Sequence, residues 1–212
     1  MLKTTASRVE VPMKFHPTVA VLVASLTALA ALTACTAPQG PTIAPSGPVT
    51  TSVPDANPRG DIPDNQAFVA AAGPSGSYRL EVPEGWAETR TGSSISYTDK
   101  LNSITVEETP AAVAPTVRSA TANDVPQLQK TTPNMAPGDV TEFSLPGGQG
   151  IRIRYQADSG PDPVTQKVRR QAVERYLFWK NGTVAALTLA GPQDADNADP
   201  WAKVSGSFRW LR

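Results

Sequence analysis

The chain has one cysteine, Cys35, and one histidine, His16, and its 19 basic residues are matched by 19 acidic ones. Each scarcity excludes something. A single thiol forms no disulfide within the chain, so a domain of this sequence is held by its core alone. Beyond position 16 there is no histidine, so the usual general base for a serine or cysteine nucleophile is missing there. The same gap removes the His and Cys donors of a zinc site. A net charge of zero gives no bulk attraction to nucleic acid. Long apolar runs are missing too. The best, Thr18–Leu32, has 15 residues, and a membrane-spanning helix needs about 20.

What is present begins with that run. Lys3, Arg8, Lys14 and His16 precede it, and Leu32-Thr33-Ala34-Cys35 closes it. A basic start, a short apolar middle and small residues before a cut are the parts of a secretory signal. The tetrad resembles the lipobox of bacterial lipoproteins: a branched aliphatic residue, two small residues, then cysteine. The resemblance implies a diacylglyceryl group on the Cys35 thiol, cleavage between Ala34 and Cys35, and a palmitate-type acylated N-terminus on the outer side of a cell membrane. Translation starts at Met1 or at Met13; Met13 gives the more compact signal. Removing residues 1–34 leaves 16 basic and 18 acidic residues, a charge of about −2.

Residues 35–63 read as a tether. Thr36–Pro63 holds seven prolines and three glycines in 28 residues and no aromatic. Such a segment buries too little apolar surface to offset the entropy of ordering it. As a coil it reaches roughly 30 Å, and as stretched polyproline roughly 85 Å.

The folded domain is expected over 64–212. Gln66–Ala72 suits a short helix or a first strand, and Tyr78–Val82 alternates with the period of a half-buried strand. Trp86–Thr91, Ser94–Thr98 and Ser103–Glu108 follow, separated by turn residues, and read with Tyr78–Val82 as an antiparallel meander. A helix is expected over Ala122–Lys130, capped by Asp124 with Pro126 in its first turn, and a loop over Thr131–Gly138. Val140–Leu145 and Ile151–Gln156 are strands about a Pro146–Gly148 turn. Ile151, Ile153 and Tyr155 share one face of the second strand; Arg152, Arg154 and Gln156 share the other. Gln166–Trp179 and Thr183–Ala190 form a hairpin about Asn181-Gly182, a pair suited to a type I′ turn. A helix over Pro200–Gly206, with Asp199 as cap, precedes Ser207–Trp210, which packs back. Strands, helix, strands, helix is the order of an α+β domain, a mostly antiparallel sheet flanked by helices.

Tyr78–Trp86, the long hairpin and the closing Ser207–Trp210 resemble the PsbP-like fold and, more narrowly, the LpqN/LpqT-type lipoproteins of actinobacteria. The resemblance covers roughly Asp64 to Arg212. It implies an α-β-α sandwich and a role in envelope lipid or glycolipid handling beside membrane transporters.

Little in the chain points to catalysis. Glu107 and Glu108, adjacent on a strand, face opposite ways and make no acid/base pair. Asp194, Asp196 and Asp199 stand before a helix and suit its start better than a calcium loop, which needs a glycine hinge and a distal Glu. Gly147, Gly148 and Gly150 lie between two strands and read as a hairpin rather than a phosphate loop. Two features suit binding. Arg152, Arg154, Lys167, Arg169, Arg170 and Arg175 fall on neighbouring strands, either lining one basic face or standing on a solvated face with carboxylate partners. Tyr155, Tyr176, Phe178 and Trp179 supply apolar surface, mostly for a core. The reading is a non-enzymatic binding module with no catalytic residue, metal or cofactor. Its ligand-face candidates are Arg152, Arg154, Tyr155, Tyr176 and Trp179. A protein adaptor for an envelope complex or transporter is the alternative, and a carboxylate hydrolase the third. A broad apolar pocket favours a lipid or glycolipid carrier; a tightly filled sheet face with an exposed aromatic patch favours a protein adaptor.

Overall fold

The computed structural model describes residues 60–162 and 164–211. The expected leader, the Ala34–Cys35 cleavage and lipidation site, and most of the tether lie outside the described residues. The fold class is the one expected, α+β with mostly antiparallel strands, in two sheets. The larger has seven strands in the order β3 (Ala87–Thr91), β4 (Ser94–Asp99), β5 (Asn102–Pro110), β9 (Thr183–Pro192), β8 (Arg170–Lys180), β7 (Gly148–Asp158) and β6 (Ala136–Leu145). The smaller has three, β1 (Phe68–Ala72), β2 (Tyr78–Pro83) and β10 (Arg209–Trp210).

Period-two patterning decides what each face of the large sheet carries. Ile95, Tyr97, Ile104, Val106, Tyr176, Phe178, Leu187 and Leu189 fall in register on one face. They form one core with Tyr78, Leu80 and Val82 of β2, Trp201 and Val204 of helix α3 (Ala198–Ser207), and Phe208. Aromatic rings knit this layer together. Phe208 stacks on Phe178 at 4.1 Å and on Tyr78 at 5.1 Å between centroids, and Phe143 meets Phe178 edge-on at 4.8 Å. Each such ring contributes about 1.5–3 kcal/mol by burial. The opposite face carries Ile151, Ile153, Tyr155, Val173, Leu177, Val184 and Ala186, packed under Ala120, Val117, Val125 and Leu128 of the helical segment.

The hairpin about Asn181 and Gly182 forms as expected, with φ of 49° and 80° at the two turn residues. Tyr78–Val82 is a half-buried strand, and β7 buries Ile151, Ile153 and Tyr155 on one side. Elsewhere the structure corrects the expectation. Tyr78–Val82 does not continue into the meander, because β2 takes β1 and β10 as partners and β3 pairs only with β4. The first helix starts at Val117, ahead of Ala122. Thr116 caps it reciprocally: its Oγ1 accepts from Ser119 N–H at 3.1 Å while Ser119 Oγ accepts from Thr116 N–H at 2.9 Å. Asp124 makes no side-chain cap. α1 (Val117–Ser119) runs through a π turn, Ala120–Asp124, into α2 (Val125–Thr131). Pro126 explains the π turn. It has no N–H for the Ala122 carbonyl, and its ring would clash there in a regular helix.

β6 begins at Ala136, inside the expected loop, and needs a register break between Pro137 and Val140. β8 begins at Arg170 rather than Gln166. The residues before it form a closed excursion in which Gln166 takes a positive φ of 56°, incompatible with a strand. α3 starts at Ala198 with Asn197 before it, so Asp199 lies in the first turn instead of capping. Asn197 is otherwise employed. Its Oδ1 accepts from Ile62 N–H at 2.8 Å, and its Nδ2 donates to Gly60 O at 3.1 Å and to Asn102 Oδ1 at 3.0 Å. These bonds and the burial of Ile62 draw Gly60–Pro63, expected as the end of the tether, into the fold.

Candidate functional site

A cleft of about 450 Å3 lies at the β6–β7 turn, on the helix-bearing face of the sheet. Register builds it. Glu142 pairs with Ile151 and Ser144 with Gln149, which puts all four side chains on one face. Ile151 pairs with Leu177, so Trp179, two residues on, joins the same face. Ala114 and Pro115, just before the Thr116 cap, close the far side. Trp179 is fixed in the wall because its indole N–H donates to Ala111 O at 2.8 Å, and Ala111 N–H in turn donates to Gly182 O at 2.8 Å. The floor needs glycine at 150. A Cβ there would stand 2.2 Å from Leu177 O and 2.7 Å from the Phe143 ring. The result is a half-buried indole facing exposed carboxylate, hydroxyl and amide groups from Glu142, Ser144 and Gln149.

Farther along the same face is a polar centre. Arg175 donates to Glu107 Oε2 at 2.9 Å and to Thr188 Oγ1 at 2.7 Å. Its field lowers the Asp124 carboxyl, but burial outweighs this and leaves Asp124 above the ordinary carboxylate range. Burial also pushes up the Tyr155 phenol. Beyond the centre, β3–β5 present Thr89, Ser96, Thr98, Ser103 and Thr105, and the Ser96 and Thr105 hydroxyls bond at 2.9 Å. The Ser/Thr alternation of these strands announces this polar face in the sequence.

The expected basic residues do not share one face. Arg152 and Arg154 lie on the side of Tyr176; Arg175 lies on the opposite side with Tyr155 and Trp179. Several have carboxylate partners. Arg154 grips Asp139 with Nε at 2.7 Å and a terminal nitrogen at 3.1 Å, which holds the Asp139 carboxyl below its usual range. Arg170 pairs with Asp158 at 3.2 Å. Arg152 Nε and Thr141 Oγ1, on paired residues of β7 and β6, are buried without a hydrogen-bond partner among the described residues. Tyr155 and Tyr176 are core residues on opposite faces, and the Tyr176 hydroxyl donates to Glu174. Of the five ligand-face candidates only Trp179 lines the large cleft. Glu142, Ser144 and Gln149, its companions there, were not singled out by the sequence. Among the described residues no group of three His, Cys, Asp or Glu is placed to hold a metal, and no helix is long and apolar enough to cross a membrane.

No protein-family model matches the chain, and no curated protein is similar to it. Among solved structures, it is similar to the Ran-binding protein Mog1p of Saccharomyces cerevisiae, with 11% identity over 69% of this chain and 96% of that one and a TM-score of 0.47. It is also similar to the cyanobacterial PsbP of Synechocystis, with 13% identity over 73% of this chain and 100% of that one and a TM-score of 0.43. LpqN of Mycobacterium tuberculosis, described as involved in cell envelope biogenesis, shares 16% identity over 69% of this chain and 85% of that one, with a TM-score of 0.40.

Proposed function

We propose that the chain is a non-enzymatic, lipid-anchored module on the outer face of a cell membrane, and that its Trp179 cleft binds the sugar headgroup of an envelope glycolipid. The anchor rests on the basic, apolar and Leu32–Cys35 elements of the N-terminal sequence. The cleft reading rests on one observation: an indole clamped by Ala111 O faces Glu142, Ser144 and Gln149. A flat aromatic ring takes the C–H face of a pyranose, and planar carboxylate and amide groups bond its neighbouring hydroxyls. Both faces of the sheet are packed with side chains where cores form, which favours headgroup recognition over sequestration of whole acyl chains. A second reading, a protein adaptor, draws on that same filled sheet and on Val113, which stands 76% exposed next to the cleft-lining Ala114.

Native mass spectrometry tests the proposal. The full-length chain with Cys35→Ser, purified and then incubated with an extract of its own envelope, is expected to carry a hexose-bearing lipid. Trp179→Ala is expected to lose it. A bare mass for the parent chain moves the assignment to the adaptor. Cys35→Ser itself should move the protein out of the membrane fraction or leave it unprocessed; unchanged partitioning and mass would refute the anchor.

A further inference from the structure

At the other end of β8, roughly 27 Å from Trp179 along the strand, a second cleft of about 220 Å3 opens between the β4–β5 turn and the excursion 159–169. Three cations line it, Lys100, Lys167 and Arg169, against one carboxylate, Asp162. The carboxylate is largely spent within its own loop. Asp162 Oδ1 accepts from Val164 N–H at 3.0 Å, Thr165 N–H at 2.6 Å and the Thr165 hydroxyl at 2.9 Å. These bonds hold it ionised, below the ordinary carboxylate range. Lys100 approaches Asp99 only at 3.7 Å with its side chain 81% exposed. Neither Lys167 nor Arg169 makes an ion pair within 4 Å among the described residues; Arg169, half-buried, adds its field to the bonds that lower the Asp162 carboxyl, which leaves Lys100 and Lys167 as the cations in excess.

Hydrogen bonds fix the main chain that carries Lys167 and Arg169. Ser159 N–H donates to Arg169 O at 2.8 Å, Arg169 N–H donates to Ser159 Oγ at 3.0 Å, and Asp162 N–H donates to Lys167 O at 3.1 Å. Excess positive charge on a bonded frame, beside the Ser103 side chain and the Gln171 amide, suits a compact polyoxygen anion. We propose that this cleft binds a phosphate group, with Arg169 and Lys167 as its principal cations and Lys100 as an outer one. The loop adds a hint about the source. Val164 and Val168, which flank Lys167 in the sequence of the same loop without lining the cleft, stand 87% and 53% exposed and offer apolar contact to the acyl end of a phospholipid. This proposal concerns a different end of the sheet and does not depend on the Trp179 reading.

The test uses the full-length chain, isotope-labelled for amide NMR, with two soluble probes, inorganic phosphate and dihexanoylphosphatidylglycerol. Both should shift the amides of Ser159, Arg169 and Ser103, and Lys167→Ala with Arg169→Ala should weaken binding at least tenfold. Phospholipid binding tenfold tighter than phosphate, with the excess lost in Val164→Ser/Val168→Ser, identifies a lipid source. Equal affinity with the same charge dependence identifies the phosphate group alone. Trp179→Ala should leave both titrations unchanged, which separates this site from the large cleft. No shift at these amides, or titrations indifferent to the two charge removals in a variant whose spectrum remains dispersed, would overturn the proposal.

Discussion

Glu107 and Glu108 are neighbours in sequence and serve opposite faces of β5. Glu107 accepts from Arg175 across the intervening β9, while Glu108 turns to the small sheet and accepts from Ser75 N–H at 3.4 Å and the Ser77 hydroxyl at 3.3 Å. Adjacent carboxylates on a strand therefore do two separate structural jobs, as their spacing demands.

The Arg175 side of this arrangement is asymmetric. Arg175 is 19% exposed at the side chain and Glu107 47%. Arg175→Met removes two charge-assisted bonds and leaves a carboxylate that water still reaches, so the loss should be about 1–2 kcal/mol. Glu107→Gln keeps an acceptor for the guanidinium and should lose less, below about 1 kcal/mol. Urea unfolding of both variants checks the order. A larger loss for Glu107→Gln would show that the guanidinium relies on that charge more than its geometry indicates.

Glycine has opposite meanings at two positions. At Gly150 a Cβ meets Leu177 O at 2.2 Å, and backbone on a paired strand has nowhere to go; Gly150→Ala should destabilise by about 1–3 kcal/mol. At Gly206, within α3, nothing lies within 4 Å of an added Cβ. Gly206→Ala should stabilise by about 0.5–1 kcal/mol through helix propensity and the unfolded chain. Thermal unfolding of the pair should show midpoints moving in opposite directions; shifts of the same sign would refute this.

Such contrasts mark how far the sequence reaches. The Asn181-Gly182 hairpin, the buried alternation of Ile151, Ile153 and Tyr155, and the split of Glu107 from Glu108 are all local, and local rules carry them. The site is not local. Trp179 meets Glu142 and Gln149 only because β8 pairs with β7 and β7 with β6, and Arg175 finds Glu107 68 residues away only because β9 lies between β8 and β5. Strand order is invisible to periodicity, so six basic residues that are close in sequence, legible as one basic face or as a solvated face with carboxylate partners, fold onto two faces and a loop. The Thr116 cap escaped for another reason: its reciprocal partner three residues on is Ser119, where the familiar signature has Glu or Gln.

Asn197 ties Gly60 and Ile62 to the start of α3 and to Asn102. Its Oδ1 is the acceptor for a buried N–H, so Asn197→Ala leaves a donor unmet and should destabilise by about 1–3 kcal/mol. The loss should be regional as well. Amide hydrogen exchange at Ile62 should accelerate far more than at Leu187 in the sheet centre. Equal acceleration at both would make the effect global and remove the hub role assigned to Asn197.

Asp124 supplies a prediction with a definite sign. Burial holds its carboxyl above the ordinary range, with Arg175 opposing. In the unfolded chain the group titrates near 3.9. Between that value and its raised folded one, the native state binds more protons than the unfolded state, so the contribution of Asp124 to stability falls as pH rises through that window. Above the raised folded value the penalty is complete, and it vanishes below the unfolded value. Asp124→Asn removes the charge while keeping the shape. The variant should be more stable than the parent at pH 7, and the gap should close as pH falls below about 3.9; groups common to both proteins cancel in the difference. Urea unfolding at pH 7, 5 and 3 measures it. A variant no more stable at pH 7 would mean that attraction to Arg175 outweighs desolvation, and a gap that persists at pH 3 would mean that the effect is not one of charge.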